Sequence, residues 1–166
     1  MSNAIAPRAE SSLVAGTPEV THDFLSFGLG EERFALPLGA VREILKVSPI
    51  TPVPRARPYI LGILSVRGRI TTIMDLRRRL RMPSAGASKA SRILLVDGGE
   101  EIIGLLVDEV YTVTRLGEEE IEMAATVAGD LSEYVFGIGR PGGVAAEESE
   151  RDDILILLDP EPLLRS

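Results

Sequence analysis

The chain has 166 residues, a formal net charge of −7, 45% hydrophobic and only 4% aromatic residues, and no cysteine. That length suits one domain, or two small halves around a shared core. The acidic balance argues against broad nucleic-acid binding, which needs surplus Lys and Arg to neutralise phosphates, and the missing cysteine excludes disulfides, thiolate metal sites and cysteine nucleophiles.

Residues 1–20 are rich in Ala, Ser, Pro and Gly, lack the apolar core of a signal peptide, and read as a flexible tail outside the fold. No later stretch offers about 18 uninterrupted apolar residues for a membrane span, so no direct membrane insertion is expected and a cytoplasmic protein is the simplest expectation. From Phe24 onward, short apolar runs alternate with Gly, Pro or charged residues, which is the pattern of strands. Without Trp, the interior must be built from Val, Leu and Ile, which suit a pleated surface.

Five strands are predicted first: FLSFGL (24–29), RFALPL (33–38), VREILKV (41–47), ILGILSV (60–66) and RITTIMD (69–75). Gly30-Glu31-Glu32 closes a hairpin between the first two. Asp75 precedes LRRRLR (76–81), whose Leu76 and Leu80 stand one turn apart, predicting a short helix. MPSAGASKAS (82–91) reads as a flexible bridge. Five further strands follow, RILLVD (92–97), IIGLLVD (102–108), VYTVTRL (110–116), YVFGIG (134–139) and DILILLD (153–159), and Pro160-Glu161-Pro162-Leu163-Leu164 stands where a second short helix would close the chain.

The halves match in residues as well as spacing. Tyr59-Ile60-Leu61-Gly62-Ile63 is echoed by Tyr134-Val135-Phe136-Gly137-Ile138, and Ile73-Met74-Asp75-Leu76 by Leu157-Leu158-Asp159-Pro160. Five strands after five imply an all-β fold of two related small barrels, a first repeat over about 24–81 and a second over about 92–164. Chance similarity between apolar strands is the competing reading.

Few residues suggest chemistry. His22 is the single histidine, and without Cys or a nearby carboxylate cluster it makes neither a metal site nor a catalytic triad. The glycines of RPGGVAAEESER (140–151) fit no phosphate-binding pattern and are followed by acid, so the stretch reads as a solvated hairpin loop. Asp108, Glu109 and Glu118-Glu119-Glu120 read as a solvated acidic surface, because adjacent strand positions point to opposite faces and do not converge. Arg77, Arg78, Arg79 and Arg81 read as a salt-bridged or partner-facing surface. No catalytic constellation is found, and neither a cofactor nor a metal is expected.

Ser65-Val66-Arg67-Gly68-Arg69-Ile70 is the most suggestive segment. Gly68 permits a tight turn with positive φ, and Arg67 beside it would lay its stem on the barrel and leave its guanidinium free for bidentate contacts. On the residues alone, a plain hairpin turn and a display site are equally good readings.

This segment lies within ITPVPRARPYILGILSVRGRITTIMDL (50–76), where an apolar strand, a Pro-x-x-Pro-like linker, a glycine-led strand ending in Arg-Gly, and a closing Asp-Leu resemble the CheW family. FLSFGLGEERFALPLGAVREIL (24–45), IIGLLVDEVYTVTRLGEEEIE (102–122) and ILILLDPEPLL (154–164) extend the likeness on both sides. The resemblance implies a CheW-like domain over 21–166, with two intertwined five-stranded SH3-like β-barrels and a short helix after the fifth strand of each half. It implies a non-enzymatic adaptor, with one surface for the regulatory domain of a CheA-type histidine kinase and a groove between barrels for the cytoplasmic hairpin tip of a methyl-accepting chemotaxis receptor. By position, Val41, Glu43, Ile44, Gly62, Arg67 and Gly68 match family positions linked to receptor coupling. Apolar surplus on strand 102–108, more than a small barrel can bury, points to Ile103, Leu105 and Val107 as the kinase contact. Thr71, Thr72 and Ser65 depart from the family pattern. A scaffold of a non-flagellar chemosensory system and a detached kinase regulatory domain are the runner-up readings.

Overall fold

A computed structural model of the chain describes residues 20–123, 133–143 and 154–165. Among the described residues eleven strands form in chain order: β1 Thr21–Leu29, β2 Glu32–Pro37, β3 Val41–Lys46, β4 Ile60–Val66, β5 Arg69–Asp75, β6 Arg92–Asp97, β7 Ile102–Val107, β8 Glu109–Gly117, β9 Ile121–Met123, β10 Val135–Gly139 and β11 Leu155–Leu158. Helix α1 (Leu76–Arg79) follows β5 and helix α2 (Pro160–Leu164) follows β11. Each helix starts the same way: the Asp75 carboxylate accepts from the Arg77 N–H and the Asp159 carboxylate from the Glu161 N–H, satisfying a backbone donor that a helix start leaves unpaired.

The sheets do not follow the halves of the sequence. One runs β8-β1-β2-β11-β10-β9 and the other β3-β6-β7-β5-β4, so each takes strands from both 24–81 and 92–164. Four pairings make the exchange, the antiparallel pairs β1 with β8 and β3 with β6 and the parallel pairs β2 with β11 and β5 with β7. The result is an all-β fold of two intertwined SH3-like barrels, one with five strands and the other with six.

Most strand ends fall within one or two residues of the sequence pattern, and two larger differences stand out. β1 starts at Thr21, three residues early, because its polar head pairs with β8 and the Asp23 carboxylate accepts from Arg115 at 2.9 Å. β9 has no counterpart among the predicted strands. In the five-stranded sheet its place is taken by one bridge, Thr51 to Ile63.

Three apolar clusters fill the interior. Phe24, Ala35, Leu116, Leu155 and Leu157 lie inside the six-stranded barrel, while Ile73, Ile93 and Leu95 lie inside the five-stranded one. The largest cluster joins residues of both sheets, including Phe27, Phe34 and Leu36 from one and Met74, Leu94 and Leu105 from the other. It is the interface between barrels, and it also takes Leu76 and Leu80 from the α1 region and Leu163 and Leu164 from α2.

Candidate functional site

The β4–β5 hairpin turns in two residues, Arg67 and Gly68, with φ of 50° and 83°. Two consecutive positive φ values are the mark of a turn whose twist matches that of paired strands. Glycine enters that region freely, whereas a long side chain such as arginine rarely does. Arg67 is thereby held at an outward corner, its side chain 70% exposed.

Arg67 is not a free cation, as the sequence suggested. Both of its terminal nitrogens donate to the two carboxylate oxygens of Glu43 on β3. These donated bonds hold the Glu43 carboxyl below its ordinary range, against an opposing push from desolvation. The fork-to-fork geometry fixes both side chains across the two edges of the five-stranded sheet. Two residues singled out separately are one unit.

The other expected receptor residues divide by face. A register shift between Val41 and Glu43 resets the alternation of β3. Val41 and Ile44 then pair with Val96 and Leu94, which belong to the inter-barrel cluster, whereas Glu43 pairs with Leu95, inside the five-stranded barrel. Val41 packs against the inter-barrel cluster, whereas Ile44 is 44% exposed. The same arrangement recurs on β8, where a register shift separates Val110 from Val113; Val110 also packs on the inter-barrel cluster, and Val113 is 48% exposed. Val110 and Val113 were missed, and only the internal repeat could have pointed to them.

Gly62 is buried and touches no outside surface. The chain at Thr51–Pro52 crosses directly over it, exchanging bonds of 2.9 and 2.8 Å between Thr51 and Ile63. A Cβ at Gly62 would stand 2.1 Å from the Thr51 carbonyl oxygen, and its φ is +148°. Its part is to let two backbones touch.

Ile103, Leu105 and Val107 are corrected outright. They are 4%, 0% and 1% exposed, within the inter-barrel cluster, so no kinase can reach them. β7 is a central strand flanked by β6 and β5, and the surplus apolar surface it carries is covered by the second barrel.

An apolar surface does open elsewhere. The mouth of the six-stranded barrel holds a cavity of about 820 Å³, lined by Phe24, Pro37, Leu38, Ile121, Met123 and Phe136. Phe24 and Phe136 stack at 6.0 Å, and Met123 is 62% exposed. His22, Asp23 and Glu118 stand among the other lining residues.

The charged residues set aside as surface are mostly ties. Asp108 accepts from Arg77 and, at 2.7 Å, from the backbone N–H of Gly30, and these bonds depress its carboxyl from the ordinary Asp value. Arg78 donates to the Pro58 carbonyl and pairs with Asp75. Glu120 accepts from the backbone of Gly117 and Gly142. Of the loop 140–151, residues 144–151 lie outside the described residues; the part described leaves β10, which pairs antiparallel with β11. Among the described residues no group of carboxylates and histidine could hold a metal, and no helix is long and apolar enough to cross a membrane.

Comparison with known proteins agrees with this architecture. A family model described as CheW-like domain matches residues 23–166. "Chemotaxis protein CheW" of Klebsiella aerogenes is 31% identical over 163 residues, covering 98% of this chain and 92% of that one. "Protein FrzA" of Myxococcus xanthus is 26% identical over 136 residues, covering 81% and 84%. The crystal structure of the scaffolding protein TtCheW from Thermoanaerobacter tengcongensis superposes with a TM-score of 0.76 at 28% identity, over 89% of this chain and 94% of that one.

Proposed function

Because the chain belongs to the CheW-like domain family, a family of chemotaxis scaffolds, we propose that it joins a methyl-accepting chemotaxis receptor to a CheA-type histidine kinase, without catalysis of its own. It would work at receptor arrays, held there by its partners. The observation that carries the reading is the Arg67–Glu43 unit, a charged pair held at an exposed turn across the two edge strands of the five-stranded sheet. Val41 and Ile44 on β3, with Val110 and Val113 on β8, supply the proposed groove between barrels with apolar side chains. A helical hairpin suits such residues, because apolar side chains bury area while an exposed guanidinium fixes register.

For the kinase, the mouth of the six-stranded barrel replaces the buried β7 residues. Met123, Ile121 and Phe136 surround a cavity of about 820 Å³, which suits an apolar partner surface. Two separate surfaces allow both partners to bind at once, as an adaptor requires. The test is reconstitution of the purified chain with a receptor and a CheA-type kinase, reading autophosphorylation. Receptor-dependent activation that appears only with the chain supports the proposal; equal activity without it contradicts it.

A further inference from the structure

One side chain touches equivalent points of both repeats. Arg79, at the end of α1, has its guanidinium carbon 4.4 Å from the centre of the Tyr59 ring and 4.9 Å from that of Tyr134. Those tyrosines are the first residues of the two matching pentapeptides. They also hold equivalent posts: the Tyr59 carbonyl accepts from Asp75 N–H at 2.7 Å, and the Tyr134 carbonyl from Asp159 N–H at 2.8 Å. The edge of the Arg79 guanidinium is spent on the end of α2 and the residue after it, donating to the carbonyls of Leu163 at 2.9 Å, Pro162 at 3.2 Å and Arg165 at 2.6 Å. A cation suits that end of a helix, where carbonyls lack intrahelical partners. α1 belongs to the five-stranded barrel and α2 to the six-stranded one, so Arg79 bridges the two.

The apolar cluster between barrels supplies attraction, but burial of apolar surface is non-directional and tolerates sliding or rotation. A planar guanidinium with its donors on fixed carbonyls and its faces on two rings tolerates neither. Tyr59 leads into β4, whose far end carries Arg67, and Tyr134 leads into β10. We propose that Arg79 is the positioning residue that fixes the angle between the barrels, and through it the separation of β3 and β8 across the receptor groove. This rests on the proposed reading of that groove as a receptor site.

The chain has no cysteine, so Ser65→Cys on β4 and Glu119→Cys after β8, both exposed, can carry spin labels for pulsed dipolar spectroscopy in the full chain without a partner. Arg79→Lys keeps the charge but loses the fork. It should broaden or shift the inter-barrel distance distribution while the circular dichroism spectrum stays native. Tyr59→Phe and Tyr134→Phe keep a ring face and should leave the distribution as in the unsubstituted chain, whereas Tyr134→Leu should reproduce the Arg79→Lys change. In binding, Arg79→Lys should lower receptor-tip affinity about tenfold or more and leave affinity for the kinase regulatory domain, bound by one barrel, within about twofold. A distance distribution unchanged by Arg79→Lys, or receptor and kinase affinities that fall together, overturns the inference. Failure of the unsubstituted chain to bind any receptor tip would count against the proposed function instead, and the distance measurement would still decide the role of Arg79.

Discussion

Gly62 and Gly137 occupy the same place in the two repeats, yet the chain treats them differently. At Gly137 a Cβ would lie 2.8 Å from the Glu122 carbonyl oxygen; at Gly62 it would lie 2.1 Å from that of Thr51, on a backbone with φ of +148°. In the second repeat the crossing strand is β9, paired with β10 through Ile121–Met123. In the first it is a single bridge at Thr51, pressed closer. Beyond these glycines the hairpins diverge further, since β4 and β5 close in two residues around Arg67 while β10 and β11 are joined by the longer acidic stretch from Arg140. A duplicated frame has kept its crossings and changed its edges. The tight repeat displays a fixed charge pair, and the open one an apolar mouth.

The largest effect that could break this comparison is on stability. Gly62→Ala combines backbone strain with a clash against main chain that cannot swing aside, so it should cost about 3–5 kcal/mol, while Gly137→Ala should cost about 1–2 kcal/mol. Urea denaturation of both variants gives the ranking; equal losses would mean the repeats are built alike here. Second comes the apolar mouth. Met123→Glu places a charge in the proposed kinase surface and should weaken kinase binding about tenfold with unchanged melting, and binding of the unsubstituted chain should vary little with salt. Calorimetric titration at two ionic strengths checks both, and a steep salt dependence would move the contact to a charged face.

The third effect is smaller and depends on pH. Asp108 has its folded pKa lowered chiefly by the bonds from Arg77. Its contribution is therefore fully present above the unfolded pKa and is lost as pH falls through the depressed folded value, in the region below about pH 4. Asp108→Asn should cost about 1 kcal/mol at neutral pH and flatten the acid limb of a stability profile measured by urea melts between pH 2 and 7. An unaltered acid limb would show that the tie between Arg77 and the β1–β2 turn contributes nothing.

How far the sequence revealed these features depends on the range of the interaction behind each. Gly68 after Arg67 signals a tight turn locally, the first helix start was legible from Asp75, whose carboxylate bonds two residues ahead, and the second helix from Pro160–Leu164, though the matching bond of Asp159 was not read. The matching pentapeptides likewise lie at equivalent places in the fold. β9 was not legible, because three residues behind an acidic triplet carry no alternation. Nor was the burial of Ile103, Leu105 and Val107: an apolar strand reads the same whether a partner or the chain's own second barrel covers it. Arg79 was hidden for a similar reason. In sequence it is one of several neighbouring arginines, and only the fold brings Tyr59, Tyr134 and α2 around it.

The claim that most needs testing is that the Arg67–Glu43 unit serves a receptor rather than the fold. Arg67→Glu, with the double exchange Glu43→Arg/Arg67→Glu beside it, can be titrated against a receptor cytoplasmic tip while melting and kinase binding are followed in the same preparations. The account predicts that both variants melt with the unsubstituted chain and bind the kinase normally, that Arg67→Glu loses at least about tenfold in receptor affinity, and that the double exchange, which restores the pair but not the position of the guanidinium, does not recover it. Unfolding of Arg67→Glu, or normal receptor binding by either variant, would contradict it.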